Sequence, residues 1–461
     1  MATHRYLGVV FGALMLLWCL SGGVMLFAPY PSVSQDERLA HLPRIDWSDC
    51  CVIAGAAAPD AKVRAAAIEQ LGDRPVLRLR LADGPPRVLD LSNGHLLTGV
   101  DRAGALAVAQ AWGRPASVAP VVRDQWTVSG EFNRARPFWR VRLADPAATD
   151  LYVSQASGEA VQRTTRAGRV LNWLGAVPHW LYPTLLRQYP KLWTQVVIWT
   201  SLAGIFLTVM GLYLGLVAWR PFADRRLSPF RGLMAWHHLT GLAAGLLTLT
   251  WVASGLVSMN PWGFLEGGDD PAPARVAGPP PAFAEVQAAL ESAAALAPAV
   301  AQVKLAPLDG HAFVVAGGQR LDAAGKPAAV IGADLAAAGR RLGAVAGQGL
   351  MRTEDAYYFS HHEAVALPVW RVLMADGRRA YIDPKSGALL AFLDSDAKAY
   401  RWLHEGLHRL DIVPGLRRGP IWAGLTLLLL AAATFGVGTG VWLGWRRVGL
   451  DLHHLRSKWK D

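Results

Sequence analysis

Charge is scarce in this sequence. Only 18% of its 461 residues are Asp, Glu, Lys or Arg, and four runs hold none: Tyr6–Ala28, Leu192–Trp219, Leu239–Pro261 and Pro420–Trp445. At about 1.5 Å of rise per residue, each run is long enough as a helix to cross a hydrocarbon core of about 30 Å. A soluble globule with one apolar core is excluded. Cysteine is scarcer still, and three residues do not make a disulfide framework. Cys19 lies in the first run. Cys50 and Cys51 are adjacent, and the strain of a vicinal disulfide leads us to expect two thiols paired transiently or not at all. There is no C-x-x-C-H, which excludes heme attached through that motif. No G-x-G-x-x-G follows a strand, so neither a flavin nor a nicotinamide domain is expected.

The charges that are present lie beside the apolar runs. Arg5, Arg220, Arg225, Arg226, Arg231, Arg446, Arg447, Arg456, Lys458 and Lys460 stand against only Asp224, Asp451 and Asp461, a net +7 of the formal +11. The positive-inside rule puts these short segments in the cytoplasm and the two long segments outside. A juxtamembrane excess of this kind points to topology and anionic lipid; it does not point to nucleic acid. The first run is too long for the apolar part of a signal peptide and no A-x-A site follows it, so it is expected to remain as a helix. The expected layout is transmembrane 6–28, 192–219, 236–261 and 420–445, outer segments 30–191 and 262–419, a cytoplasmic loop 220–235 and a cytoplasmic tail 446–461.

Part of the sequence occurs twice. "HRYLGVVFGALMLLWCLSG" from His4 overlays "HHLTGLAAGLLTLTWVASG" from His237 as H-x3-G-x3-G-x5-W-x2-S-G, without a gap. His179 falls on His408, Trp193 on Trp422, Gly211 on Gly440 and Gly215 on Gly444. "YVSQASGEAV" from Tyr152 overlays "YIDPKSGALL" from Tyr381. The expected architecture is an integral membrane four-helix bundle built from a duplicated helix–domain–helix unit, with two small α+β outer domains. Strands are expected at "WRVRLA", "LYVSQASGEAV" and "FVVAGGQRLDAAG", a helix over Ala282–Ala297, and an extended linker over Gly267–Pro281.

These residues resemble the PepSY-associated transmembrane family. The resemblance rests on the H-x3-G helix starts, the Trp-Arg-Val strands, the turn at Asp383–Gly387 and the W-L-x4-H segments before the second and fourth helices. It covers essentially the whole chain and implies PepSY-like outer domains. It also implies the activity of the family's characterised members, which are membrane ferric-siderophore reductases holding heme in the bundle.

Four histidines coincide under the duplication. His4 and His237 both open helices that start inside, while His179 and His408 both precede helices that start outside. Two facing imidazoles make bis-histidine heme ligation, which suits electron transfer because no coordination position stays open. Two hemes b are therefore expected, with His238 and His404 as substitute ligands. Gly8, Gly12, Gly241 and Gly245 share a face with those histidines, which clears room for a porphyrin or simply lets helices pack closely. Trp18 and Trp251 are read as ordinary helix packing. The expected function is reduction of a ferric chelate such as a ferric siderophore outside a bacterial inner membrane, releasing ferrous iron. The donor is a quinol, a reductase protein or a diffusible reductant. Tyr357, Tyr358, His361, His362 and Arg371 are candidate docking contacts. Two alternatives stand beside this reading. "HEGLH", His404–His408, matches the zinc-protease motif H-E-x-x-H, and the outer domains suit a non-catalytic, membrane-anchored binding module.

Overall fold

The computed structural model describes residues 2–48, 50–219, 227–265, 271–361 and 364–458. Arg220, Asp224, Arg225, Arg226, His362, Lys460 and Asp461 lie outside the described residues. Helix α1 (Ala2–Met25) and the short α2 (Gln35–Ala40) lead into a meander of β1 (Val63–Leu71), β2 (Arg74–Leu81) and β3 (Arg87–Asp90). Helix α3 (Arg102–Gln110) and strands β4 (Pro115–Val121), β5 (Phe138–Leu143), β6 (Asp150–Ser154) and β7 (Ala160–Thr164) follow. Short helices α4 (Arg166–Leu174), α5 (Ala176–His179) and α6 (Thr184–Arg187) precede the long α7 (Pro190–Ala218) and α8 (Leu233–Val257). Next come α9 (Ala272–Ala277), α10 (Phe283–Ala295), β8 (Gln302–Leu305), β9 (Val314–Ala316) and β10 (Gln319–Leu321). Helix α11 (Gly332–Leu342) then introduces β11 (Val345–Met351), β12 (Val369–Met374), β13 (Arg379–Ile382) and β14 (Leu389–Leu393). Helix α12 (Ser395–Tyr400), a π-helical stretch Arg401–Gly406, α13 (Leu407–Arg409) and α14 (Pro420–Lys458) close the chain.

These elements form two units, one of helices (Met1–Tyr30, Ala167–Glu266, Asp396–Asp461) and one of sheets (Pro31–Arg166, Gly267–Ser395). In the helical unit α1, α7, α8 and α14 are long and apolar enough to cross a membrane. Side chains such as Val10, Leu20, Phe206, Leu246 and Leu428 are exposed on their outer faces, as lipid-facing positions must be. Proline stands at the first position of α7 and α14, where its missing N–H costs nothing. The helices do not keep to the charge-free runs. α1 and α8 begin before theirs, so His4 and His237 sit within the helices, and α14 continues past Trp445. Charge alone does not end a helix.

The sheet unit differs from the expected pair of separate outer domains. Two four-stranded antiparallel sheets, β4-β5-β6-β7 and β11-β12-β13-β14, each belong to one half of the chain. Helix α3 buries Ala105 and Ala109 on the first, and α11 buries Leu335, Ala338 and Leu342 on the second. The third sheet has the order β10-β9-β8-β1-β2-β3 and draws three strands from each half. Strand β1 pairs antiparallel with β8, Ile68 opposite Val303. Each meander alone would leave that edge unpaired, and pairing edge to edge satisfies both. Behind it Ile68, Leu77, Leu79, Phe283, Val286, Leu290 and Val303 form one core. Glu69 is buried beside this seam, bound by Arg38 and Arg78 and by the amide of Gln302.

Two local expectations also change. Gly267–Pro281 is not wholly extended, because Ala272–Ala277 forms α9, which buries Ala272 and Val276 against the α11 core. Cys50 and Cys51 form a vicinal disulfide, half-buried against the six-stranded sheet's core.

The shared core makes a checkable statement. Ile68→Ala empties a fully buried site and is expected to destabilise the sheet unit by about 2–4 kcal/mol. Hydrogen exchange should then show β1–β3 and β8–β10 losing protection together. Loss confined to β1–β3 would mean that the two halves fold separately.

Candidate functional site

In the helical unit α1 packs on α7 and α14, and α8 packs on the same two helices. This ring sets α1 and α8 across from each other. His4 and His237, near the starts of those helices, face one another with ring centres 6.4 Å apart. Glycines on the flanking helices make room for them. A Cβ on Gly211 of α7 would lie 2.7 Å from His4 Cε1, and one on Gly440 of α14 would lie 2.6 Å from His237 Cε1. His237 Nδ1 is 3.1 Å from the Gly436 carbonyl and 3.3 Å from Thr439 Oγ1. His4 faces the Leu207 carbonyl one turn before Gly211, although its buried Nδ1 falls short of a regular hydrogen bond.

A cavity of about 570 Å³ opens beside this pair, within the range of small-molecule sites. The glycines expected to act as one face divide here. A Cβ on Gly8 or Gly241 would meet nothing within 4 Å, so both face open space. A Cβ on Gly12 would lie 3.1 Å from Val441, and one on Gly245 would lie 2.6 Å from Leu212. The upper two clear a cavity, and the lower two permit close helix packing.

At the other end of the bundle His179 and His408 face each other with ring centres 6.0 Å apart. Each is cradled by the W-x2-S-G pattern of the opposing long helix. His179 Nδ1 is 3.1 Å from the Trp18 carbonyl and 3.2 Å from Ser21 Oγ, with Gly22 beneath the ring. His408 Nδ1 is 3.1 Å from the Trp251 carbonyl and 3.1 Å from Ser254 Oγ, with Gly255 beneath. A Cβ on either glycine would come within 3.3 Å of the imidazole Cε1. Trp18 and Trp251 therefore contribute carbonyls as well as packing. Ser21 and Ser254, assigned no role from the sequence, belong to the site, and their signal was the repeated motif itself. Burial lowers the pKa of both imidazoles, to about 4 for His179 and about 3 for His408, so both are neutral. A neutral imidazole whose Nδ1–H is held by a carbonyl presents its Nε2 lone pair to a metal.

The substitute ligands are placed differently. His238 has both nitrogens engaged, Nδ1 with Ser228 Oγ at 3.0 Å and Nε2 with the Gly215 carbonyl at 2.9 Å. No lone pair remains for a metal. His404 lies beside His408, ring centres 5.3 Å apart, with Nδ1 2.9 Å from the Ser254 carbonyl. It adjoins the pair but does not face across it. The H-E-x-x-H reading gains no support from the described residues; His362 and Glu363, candidates to complete such a site, lie outside them. His404 lies in the π-helical stretch, Glu405 faces Arg401 at 3.6 Å, and no cluster of three or more metal-ligating side chains forms among the described residues.

In the sheet unit the candidate docking residues are largely taken up by the fold. Asp355 accepts hydrogen bonds from the Tyr381 hydroxyl at 2.9 Å and from the backbone of Tyr357 and Tyr358, and Arg371 lies 3.5 Å away. Tyr358 is buried and stacked on Tyr381. His361 packs on Phe359, and His362 lies outside the described residues.

Two imidazoles sharing a metal through bonds of about 2 Å each have ring centres about 6 Å apart once the ring radii are added. Both pairs match that spacing. The family model described as the PepSY-associated TM region matches residues 1–348. The chain belongs to this family. No curated protein and no solved structure matches it. As a PepSY-associated transmembrane protein it combines four candidate spans with small antiparallel sheet domains.

Gly440→Ala is expected to destabilise the protein by about 1–3 kcal/mol, since the new methyl would overlap the His237 ring. Gly8→Ala faces open space and should leave the melting temperature of the cofactor-free protein unchanged or slightly raised. Thermal unfolding in detergent tests both, and equal effects would contradict the cradle geometry.

Proposed function

We propose that this protein carries electrons across a membrane through two hemes b and reduces a ferric chelate, such as a ferric siderophore, releasing ferrous iron. The observation that carries this reading is the pair of facing imidazole couples at opposite ends of one bundle. His4 and His237 would hold one heme, and His179 and His408 the other. Bound there, heme supplies one-electron carriage. The chain's own contribution is orientation. Carbonyls of Trp18, Trp251 and Gly436 fix the tautomers, and glycines admit the rings. Two histidines on one heme would leave no position for a substrate, so the chelate would have to dock elsewhere on the protein. Hard oxygen ligands hold ferric iron better than ferrous, so reduction loosens the chelate.

Three further parts belong to this reading. The unit is a duplication, supported by the matching cradles around the two histidine pairs. Asp124 with Tyr152 and Arg140 matches Asp355 with Tyr381 and Arg371. The termini are cytoplasmic and the sheet unit periplasmic in a bacterial inner membrane, which the basic residues beside the spans support. The donor is a quinol, a reductase protein or a diffusible reductant.

A reduced-minus-oxidised spectrum with a heme count per chain is the decisive experiment. Two low-spin hemes b are expected, and a folded, colourless preparation from heme-replete cells would favour a binding module. His4→Ala and His237→Ala should each remove the same heme, and His179→Ala and His408→Ala the other. Loss of one common heme in His4→Ala and His408→Ala would refute the pairing. Glu405→Gln should leave both hemes in place.

A further inference from the structure

The charged side chains that line the cavity beside His4 and His237 lie on one side only. Arg5 and Arg447 contribute its charges, and most of the rest is glycine or apolar side chain. Arg5 follows His4 directly. Arg447 lies two turns beyond Gly440 on the same face of α14, and Gly440 is the residue against which His237 rests. Asp451 ties the two guanidiniums together, 3.1 Å from Arg5 Nη1 and 3.2 Å from Arg447 Nε, and accepts the Tyr6 hydroxyl at 3.1 Å. One carboxylate between two guanidiniums leaves a net positive charge. Their other nitrogens make no hydrogen bond among the described residues. Asp451 itself is not part of the lining.

Across the bundle the wall has another character. There α7 and α8 present Leu212, Leu214, Met234 and Leu242, with Phe230 beside them. Thr208, Thr240 and Thr248 donate their hydroxyls to carbonyls of their own helices. His238 is the residue after His237, as Arg5 is after His4, and it spends both nitrogens on Ser228 and Gly215. The cavity therefore suits a flat ligand with anionic groups along its α1/α14 edge and apolar substituents along its α7/α8 edge.

We propose that Arg5 and Arg447 bind the two propionate carboxylates of the heme held by His4 and His237, and so set its rotational orientation in the bundle. This rests on the heme reading above and extends it to the ring's periphery. Charge-assisted contacts from guanidinium to carboxylate are the strong kind. At a partly solvated mouth they should slow heme loss by about tenfold.

The test uses the full-length protein in detergent, freed of heme and reloaded with either iron protoporphyrin IX or its dimethyl ester, which lacks the carboxylate charge. Heme transfer to an excess of a scavenging apoprotein is then followed by absorbance. One of the two wild-type hemes should leave about tenfold faster as the ester than as the acid. In Arg5→Gln/Arg447→Gln that preference should vanish, while Arg446→Gln, a neighbour outside the cavity, should keep it. The wild-type comparison needs no variant, so misfolding of the double mutant cannot shield the proposal. Equal loss of acid and ester from wild type, or an unchanged preference in the double variant, would overturn it. Wild type that takes up neither form would instead overturn the heme reading itself.

Discussion

A hydrogen bond from an imidazole Nδ1–H to a helix carbonyl is the constraint on which the candidate site depends. The carbonyls of Trp18, Trp251 and Gly436 already belong to helices, and each has a second lone pair to offer. Using it requires the imidazole to lie almost against the helix backbone. Gly22 and Gly255 permit that approach for His179 and His408. Gly211 and Gly440 do the same for His4 and His237. A side chain at any of these positions would push the ring away from its partner and change the spacing between the imidazoles.

The same requirement explains why so many glycines can sit in long helices. In water each would weaken its helix by about 1 kcal/mol relative to alanine. In lipid the backbone has no other partner for its polar groups, so the helix persists and glycine becomes available for close approach. Gly8 and Gly241 serve the opposite purpose, leaving space where Gly12 and Gly245 allow contact. Charge follows the helices too, with Arg5 and Arg447 on the α1/α14 side of the cavity and uncharged residues on the α7/α8 side.

The sheet unit obeys a different rule, that no strand edge should be left bare. Local sequence makes each segment extended, but only pairing across the two halves closes the gap between β1 and β8. Burial of Glu69 at that seam is tolerable because Arg38, Arg78 and Gln302 converge on it from three elements.

Much was legible in the chain by itself, because it is local. Length and absence of charge mark four spans, and strands such as β5, β6, β9 and β10 and helix α10 follow from alternation and helical period, whereas β1–β4 and β8 were evident only in the structure. The doubled H-x3-G and W-L-x4-H motifs mark the four histidines that meet in pairs. Family membership was legible in the same residues. What tertiary structure decided is nonlocal: that His237 and not His238 faces His4, that His404 lies alongside His408 and not opposite a partner, and that β1 crosses to β8. Neighbours in sequence such as His237 and His238 share one local pattern. They point about 100° apart on a helix, and only the helices packed around them determine which one finds a carbonyl for one nitrogen and open space for the other.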